Sequence, residues 1–93
     1  MVVVTKQLSL ETRGENDIVN ITGDVAFAVS ESKLKSGVVT VFVSGATGAL
    51  TTIEYEPGLL LDLPSILERV APKELMYEHE KRWHDGNGHS HVR

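Results

Sequence analysis

Apolar and polar residues alternate at the start of this chain. Between residues 2 and 10 the even positions are apolar except for Lys6, which predicts a strand with one buried face. Residues 11–16, which include Gly14, are typical of a turn. The apolar residues at 17–22 then predict a second, shorter strand, so the two segments are expected to form a hairpin.

Two further strands are predicted in the middle of the chain. Residues 38–43 read Val-Val-Thr-Val-Phe-Val, a β-branched run typical of a strand that is covered on both faces. A loop of small residues at 44–48 follows, and a further strand is predicted from 49 to about 55.

Helical spacing occurs in two places. The first predicted helix is capped by Thr22 or Asp24 and runs to about Lys35. In the second place, apolar residues recur at helical spacing between residues 59 and 70, and Pro64 within this stretch predicts a kink or two short segments.

The resulting order is β-β-α-β-β-α, followed by a polar, loop-like segment from residue 73 onward. This order predicts an α+β fold in which a mostly antiparallel sheet or sandwich carries helices on one face. With 93 residues, the chain is expected to form a single domain over residues 1–93 with a thin core.

Composition and charge exclude several classes of function. Nine Lys and Arg residues against thirteen Asp and Glu residues give a net charge of −4, and the basic residues are scattered, so nucleic acid is not an expected partner. No apolar stretch is long enough to predict a membrane span, and the N-terminus does not resemble a secretory signal. The chain has no cysteine, and a cytoplasmic location is the default expectation.

The strongest chemical signal is the histidine-rich end of the chain. His79, His89 and His91 could bind a metal, because neutral imidazole is a common metal ligand. Within the turn formed by residues 85–88, the backbone at Asn87 and Gly88 could present N–H groups to an anion. The alternatives are a solvated polar loop and an ordinary tight turn.

Two other segments could carry chemistry. The small-residue loop could bind a phosphate through its backbone, although it has neither of the common nucleotide motifs and could equally be a plain connection between strands. Its candidate binding residues are Gly45, Ala46, Thr47 and Gly48. Glu54 and Glu56 flank Tyr55 and could act as a general acid or base or as metal ligands, or could simply be solvated.

Taken in order, three stretches of the chain resemble the YjbQ-type family, whose members are described as secondary thiamine-phosphate synthases. These stretches are Ala49-Leu50-Thr51-Thr52-Ile53-Glu54, Tyr77-x-His79, and Asp85-Gly86-Asn87-Gly88-His89-Ser90-His91-Val92. The resemblance covers essentially the whole chain, and Gly-Asn-Gly-His-Ser-His is its most specific part.

The resemblance implies a sandwich-like α+β fold that assembles as a homotrimer, with a polar pocket that holds a small phosphorylated molecule or another anion. It also implies catalytic roles for His79, His91 and Glu54, and a divalent metal such as zinc or magnesium near His79, His89 and His91. Two departures stand out. Gly45 occupies a position where many members have a histidine, and members continue beyond Ser-His with further strands that this chain lacks.

Two functions follow as hypotheses. The first is a transferase of the thiamine-phosphate synthase type, which would join a pyrimidine methyl diphosphate to a thiazole phosphate and release pyrophosphate. This reaction needs cations or N–H groups to stabilise the negative charge on the departing pyrophosphate. The second is a trimeric protein that binds a metal or a small anion without catalysis.

Overall fold

Four helices make up the regular secondary structure of the computed structural model, which describes residues 1–93. In chain order they are α1 (Thr22–Glu31), α2 (Pro57–Val70), α3 (Glu78–Trp83) and α4 (Gly88–Val92). None of them is long and apolar enough to cross a membrane.

Helix α1 begins where the sequence predicted a helix but ends earlier. The N–H groups after its last turn return to carbonyls of residues 28–30, and Lys33 then adopts a left-handed conformation with φ of 63°. Such a residue ends a helix because its backbone cannot continue the right-handed turn. The predicted end at Lys35 is therefore about one turn too late.

Helix α2 is the longest element and is continuous through Pro64. Of the two predicted alternatives, two short segments is therefore wrong, and a kink at Pro64 stays a prediction. It starts at Pro57, whose missing N–H costs nothing in a first turn. The carboxylate of Glu56 accepts hydrogen bonds from the N–H groups of Gly58 (2.9 Å) and Leu59 (2.6 Å). This cap satisfies two donors that have no partner within the helix.

The predicted sheet is absent, and the α+β sandwich is the wrong fold class for this structure. The four segments predicted as strands, at residues 2–10, 17–22, 38–43 and 49–55, contain no strand. Backbone hydrogen bonds outside the helices include local ones, such as those from the Asp17 N–H to the Gly14 carbonyl and from the Glu56 N–H to the Glu54 carbonyl, both 3.0 Å. Alternation of apolar and polar residues indicates that a segment suits a pleated strand. A strand also needs a neighbouring backbone with which to form hydrogen bonds.

The chain divides into two units, Met1–Val41 and Phe42–Arg93. The first contains α1 and an open groove of about 510 Å³ lined mainly by apolar residues, and the second contains the other three helices. The single domain predicted over residues 1–93 stays a prediction, since each unit is defined by its own internal contacts.

Few side chains are buried. Ala71 is the buried apolar residue and His89 the buried polar one, each 2% exposed. In contrast, large apolar side chains such as Val38 (94% exposed) and Phe42 (83% exposed) lie in solvent. Most of the chain's large apolar side chains are thus outside any core.

The turn predicted around Gly14 is confirmed and is held by one carboxylate. Asp17 accepts hydrogen bonds from the backbone N–H of Arg13 (2.9 Å) and from its guanidinium (3.0 Å), while its own N–H donates to the Gly14 carbonyl. Gly14 has a φ of 87°, a conformation that glycine adopts without a steric penalty.

We expect the pKa of Asp17 to lie below that of an ordinary aspartate. The backbone N–H of Arg13 lowers this pKa most, and the Arg13 guanidinium adds to the effect. Because the folded-state pKa is depressed, the carboxylate stabilises the turn above the ordinary pKa, and this contribution is lost as pH falls through the lowered value. A carboxyl-carbon NMR titration measures the shift directly.

The matched variant is Arg13→Gln, which removes the guanidinium and keeps the backbone N–H. Its Asp17 pKa should move only part of the way back to the ordinary value. An Asp17 that titrates like a free aspartate in the parent chain would contradict the prediction.

Candidate functional site

The segment predicted to be a loop contains two short helices, α3 and α4, and this correction determines the geometry of the site. Tyr77, just before α3, donates from its hydroxyl to the Pro72 carbonyl at 2.6 Å. The Glu80 carboxylate accepts the Tyr77 N–H at 3.1 Å. These two contacts fix the start of α3 just beyond the end of α2.

A sharp turn reverses the chain between the two helices. His84 ends α3 in the left-handed conformation (φ 57°), and Gly86 also has a positive φ of 69°. The Asn87 carbonyl then accepts the N–H groups of Ser90 (3.0 Å) and His91 (3.2 Å), which starts α4. The reversal brings Asn87 back beside α3.

His79 on α3 meets two polar side chains of this turn. Its Nε2 lies 3.1 Å from the Asn87 side-chain amide and 3.5 Å from Asp85 Oδ1. All of these groups are hydrogen-bonded when the nitrogen of the Asn87 amide faces Asp85 and His79. It then donates to Asp85 Oδ1 at 2.6 Å and to His79 Nε2. In that arrangement the His79 ring accepts at Nε2 and carries its proton at Nδ1.

His91 on α4 lies against the same histidine. The ring centroids of His79 and His91 are 4.2 Å apart and the rings are inclined by 33°. At this separation the two rings are in direct contact. His79 is partly buried, with a quarter of its side chain exposed, whereas His91 is exposed. One ring is therefore held in place and the other is open to solvent.

We define the histidine cluster as His79, His91, Asp85 and Asn87. All four had been singled out from the sequence, and the structure brings them together within one turn and its two flanking helices. Aromatic stacking and polar contacts to one ring edge orient His79, which is what proton transfer by an imidazole requires.

The third predicted histidine has a different environment. His89 is 2% exposed, and its Nε2 lies 3.4 Å from the Ser90 hydroxyl oxygen. No group of three or more histidine, aspartate or glutamate side chains is arranged to hold a metal ion. Metal binding by His79, His89 and His91 together therefore stays a prediction.

Two predicted segments are not joined to the cluster by hydrogen bonds. Glu54 is exposed, and its one backbone contact is the bond from the Glu56 N–H to its carbonyl (3.0 Å). The small-residue loop, Gly45, Ala46, Thr47 and Gly48, is also exposed. Gly45 has a φ of 103°, and a Cβ on Gly48 would lie 3.2 Å from Val43 Cγ2. Their predicted roles in catalysis and anion binding stay predictions.

Gly88, predicted to bind an anion, already donates its N–H to the Glu80 carboxylate. An acidic side chain of the protein thus lies where a ligand anion was expected. Sequence reasoning missed Glu80, although Glu at the third residue of a helix is a known signal that it bonds back to the residue before the helix. It also missed Arg93, which contacts residues 68 and 71. These residues are too far from Arg93 in the sequence for a local pattern to predict the contacts.

The second unit thus defines a class of protein in which histidine, carboxylate and amide side chains meet at the turn between two short helices. A family model described as "UPF0047 protein YjbQ-like" matches residues 6–93. The chain belongs to this family, which confirms the resemblance drawn from its motifs.

Curated relatives come from three archaea, and each is named a UPF0047 protein. The Methanothermobacter thermautotrophicus protein is 33% identical over 93 residues, which is 100% of this chain and 64% of the relative. The Archaeoglobus fulgidus protein is 31% identical over 94% of this chain and 65% of the relative. The Methanocaldococcus jannaschii protein is 28% identical over 90% of this chain and 59% of the relative.

The chain thus spans less than two thirds of the length of these relatives. No solved structure matches it.

Proposed function

We propose that the histidine cluster is the working site of this chain, that it binds a small phosphorylated molecule, and that His79 and His91 transfer protons there. The observation that carries the proposal is the stacked pair itself, with ring centroids 4.2 Å apart and His79 held at Nε2 by the Asn87 amide. An oriented imidazole beside a second, exposed imidazole supplies both a donor and an acceptor of protons.

The reaction we propose is transfer of the thiamine-phosphate synthase type. The bond from the pyrimidine methyl carbon to the diphosphate oxygen breaks, and pyrophosphate leaves with the electron pair. The thiazole ring nitrogen then forms a bond to that carbon with its own lone pair. A protonated imidazole at His91, the exposed member of the pair, would donate its proton to the departing oxygen and so stabilise the charge that develops there.

A second candidate is binding of the same anion without catalysis. The observation that favours it is the position of Glu54, which forms no hydrogen bond or ion pair with either histidine. Without that carboxylate the cluster lacks one of the acid–base groups that the family resemblance implied. Binding of the anion to the histidine cluster would then depend on His79 and His91, but no product would form.

We also propose that the chain works as a homotrimer in the cytoplasm. The exposed apolar side chains, which include Val38, Phe42 and Trp83 (60% exposed), favour association of subunits. Covering such side chains in a subunit interface would contribute about 25 cal/mol for each Å² buried. Light scattering on the eluting peak of a sizing column measures the subunit number.

Titration of the 93-residue chain with inorganic pyrophosphate tests the binding part of the proposal. We expect His79→Ala and His91→Ala each to weaken binding about tenfold or more, the loss typical of one charge-assisted hydrogen bond. The matched control is His84→Asn, which removes an imidazole from the same segment and keeps a residue that tolerates the left-handed backbone. This control should bind like the parent chain.

Phosphorus NMR then distinguishes the two candidates. Release of pyrophosphate from the pyrimidine methyl diphosphate, only when thiazole phosphate is present, supports the transferase. Binding that depends on both histidines without such release supports the second candidate. Unchanged pyrophosphate binding in both alanine variants would overturn the proposed site.

A further inference from the structure

A single carboxylate connects the starts of both helices at the histidine cluster. Glu80 Oε2 accepts the N–H of Tyr77, the residue before α3, at 3.1 Å. Glu80 Oε1 accepts the N–H of Gly88, the first residue of α4. Both bonds are partly buried, so water competes for them less than at an exposed site.

The space around these bonds is closely filled. A Cβ on Gly88 would lie 2.5 Å from Glu80 Oε1 and 2.6 Å from the Cβ of Tyr77. There is no room for a Cβ at Gly88, and the Glu80 carboxylate accepts the N–H groups of both Tyr77 and Gly88. The two bonds to Glu80 therefore link the start of α4 to the start of α3.

We infer that Glu80 is the positioning residue of the histidine cluster, an inference that rests on the proposed function of that cluster. The hydrogen bonds of Glu80 go to the backbone and not to an imidazole ring, so Glu80 acts by holding α4 against α3. Asn87 directly precedes Gly88 and His91 lies three residues after it. Fixing Gly88 therefore sets both the amide that holds His79 and the ring that stacks on it.

The carboxylate charge and its two equivalent oxygens are what this role requires. A glutamine of the same shape has one acceptor oxygen, and its amide nitrogen would face an N–H donor at the other position. Glu80→Gln thus keeps the volume and removes one of the two bonds. Glu78→Gln is the matched control, since Glu78 lies on the same helix, is exposed, and forms an (i, i+3) pair with Lys81 at 2.9 Å.

The experiment compares these two variants by NMR and by pyrophosphate titration. In the parent chain we expect cross-peaks between the ring protons of His79 and His91, because the centroids are 4.2 Å apart. Glu80→Gln should lose the cross-peaks and weaken pyrophosphate binding about tenfold, the loss typical of one charged hydrogen bond. It should leave the amide signals of α2 in place. Glu78→Gln should match the parent chain in all three respects.

Hydrogen exchange in the parent chain tests the same inference without any variant. The Gly88 amide, which donates to Glu80, should exchange at least tenfold more slowly than the amide of Gly86 in the exposed turn. Equal exchange at the two amides would overturn the role of Glu80, even if Glu80→Gln failed to fold.

The outcomes separate the two proposals. Intact ring cross-peaks and unchanged binding in Glu80→Gln would overturn the role of Glu80 and leave the proposed function standing. A parent chain that shows the cross-peaks but does not bind pyrophosphate would overturn the proposed function. In that case the loss of cross-peaks in Glu80→Gln would still support the geometric role of the carboxylate.

Discussion

Replacing Gly88 with alanine is expected to separate α4 from α3 and to abolish the stacking of His79 on His91. The new Cβ would lie 2.5 Å from Glu80 Oε1 and 2.6 Å from the Cβ of Tyr77. The carboxylate could swing away, but Tyr77 Cβ is attached directly to the backbone and cannot. Relief of the clash therefore requires the two helix starts to move apart.

Overpacking of this kind costs about 1–3 kcal/mol. The movement would also break the hydrogen bond from the Gly88 N–H to Glu80, which is partly buried. The loss of one such bond to a charged group adds about 1.5–3 kcal/mol. We expect the ring cross-peaks between His79 and His91 to disappear and pyrophosphate binding to fall below detection.

Gly23 provides the control for this substitution. It lies within α1, and a Cβ built on it meets nothing within 4 Å. Gly23→Ala should therefore raise the stability of α1 by about 0.5–1 kcal/mol, because alanine loses less backbone entropy in a helix. It should leave the cluster unchanged. A Gly88→Ala chain with intact ring cross-peaks would show that the helix starts tolerate the extra methyl group.

The sequence predicted α1 and α2 because each is encoded locally. Helix α2 has an apolar repeat, a proline at its first position and a capping residue just before it, so its start could be read from neighbouring residues. Proline removes one hydrogen bond of the helix, and α2 continues without it.

The strands could not be predicted reliably for a different reason. Residues 38–43 have the composition of a strand, and in this structure Val38 and Phe42 are nevertheless exposed and unpaired in any ladder. Strand formation depends on a partner that can be far away in sequence or in another chain. The sequence of a segment shows whether its residues suit a strand, but it does not show which other segment would pair with it.

The candidate site lies between these cases. The motif that ends in Ser90-His91 identified the chemical residues, and the structure brings four of the predicted polar residues together. The two helices that position them were missed, since α3 has six residues and α4 has five, too short for a repeat to be recognised. The Tyr77–Glu80 spacing was the available signal.

Removing the guanidinium of Arg93 is expected to release the other end of α4. Its Nε and Nη2 donate to the Ala71 carbonyl at 3.1 and 2.8 Å, and Nη2 also pairs with Glu68 Oε2 at 2.6 Å. The Arg93 side chain is only 7% exposed, and Ala71 is 2% exposed. The guanidinium thus joins the last residue of the chain to the end of α2.

Arg93→Ala withdraws both donors from a buried carbonyl, a change that costs about 1–3 kcal/mol in the free energy of unfolding. Because His91 lies two residues before Arg93, we expect its ring to move away from His79 as α4 loosens. Arg93→Lys should give an intermediate loss, since an ammonium keeps the charge but cannot donate from two nitrogens in the fixed geometry of the guanidinium.

Urea unfolding followed by the amide signals of α2 and α4 measures these losses. The matched control is Arg82→Ala, which removes an arginine that lies over Trp83 with its guanidinium carbon 5.4 Å from the ring centroid. Trp83 is 60% exposed, so this change should alter stability by no more than about 0.5 kcal/mol. Equal unfolding midpoints for Arg93→Ala and Arg82→Ala would contradict the prediction. Loss of the His79–His91 cross-peaks in Arg93→Ala, but not in Arg82→Ala, would mean that the histidine pair depends on the contacts that hold the end of α4.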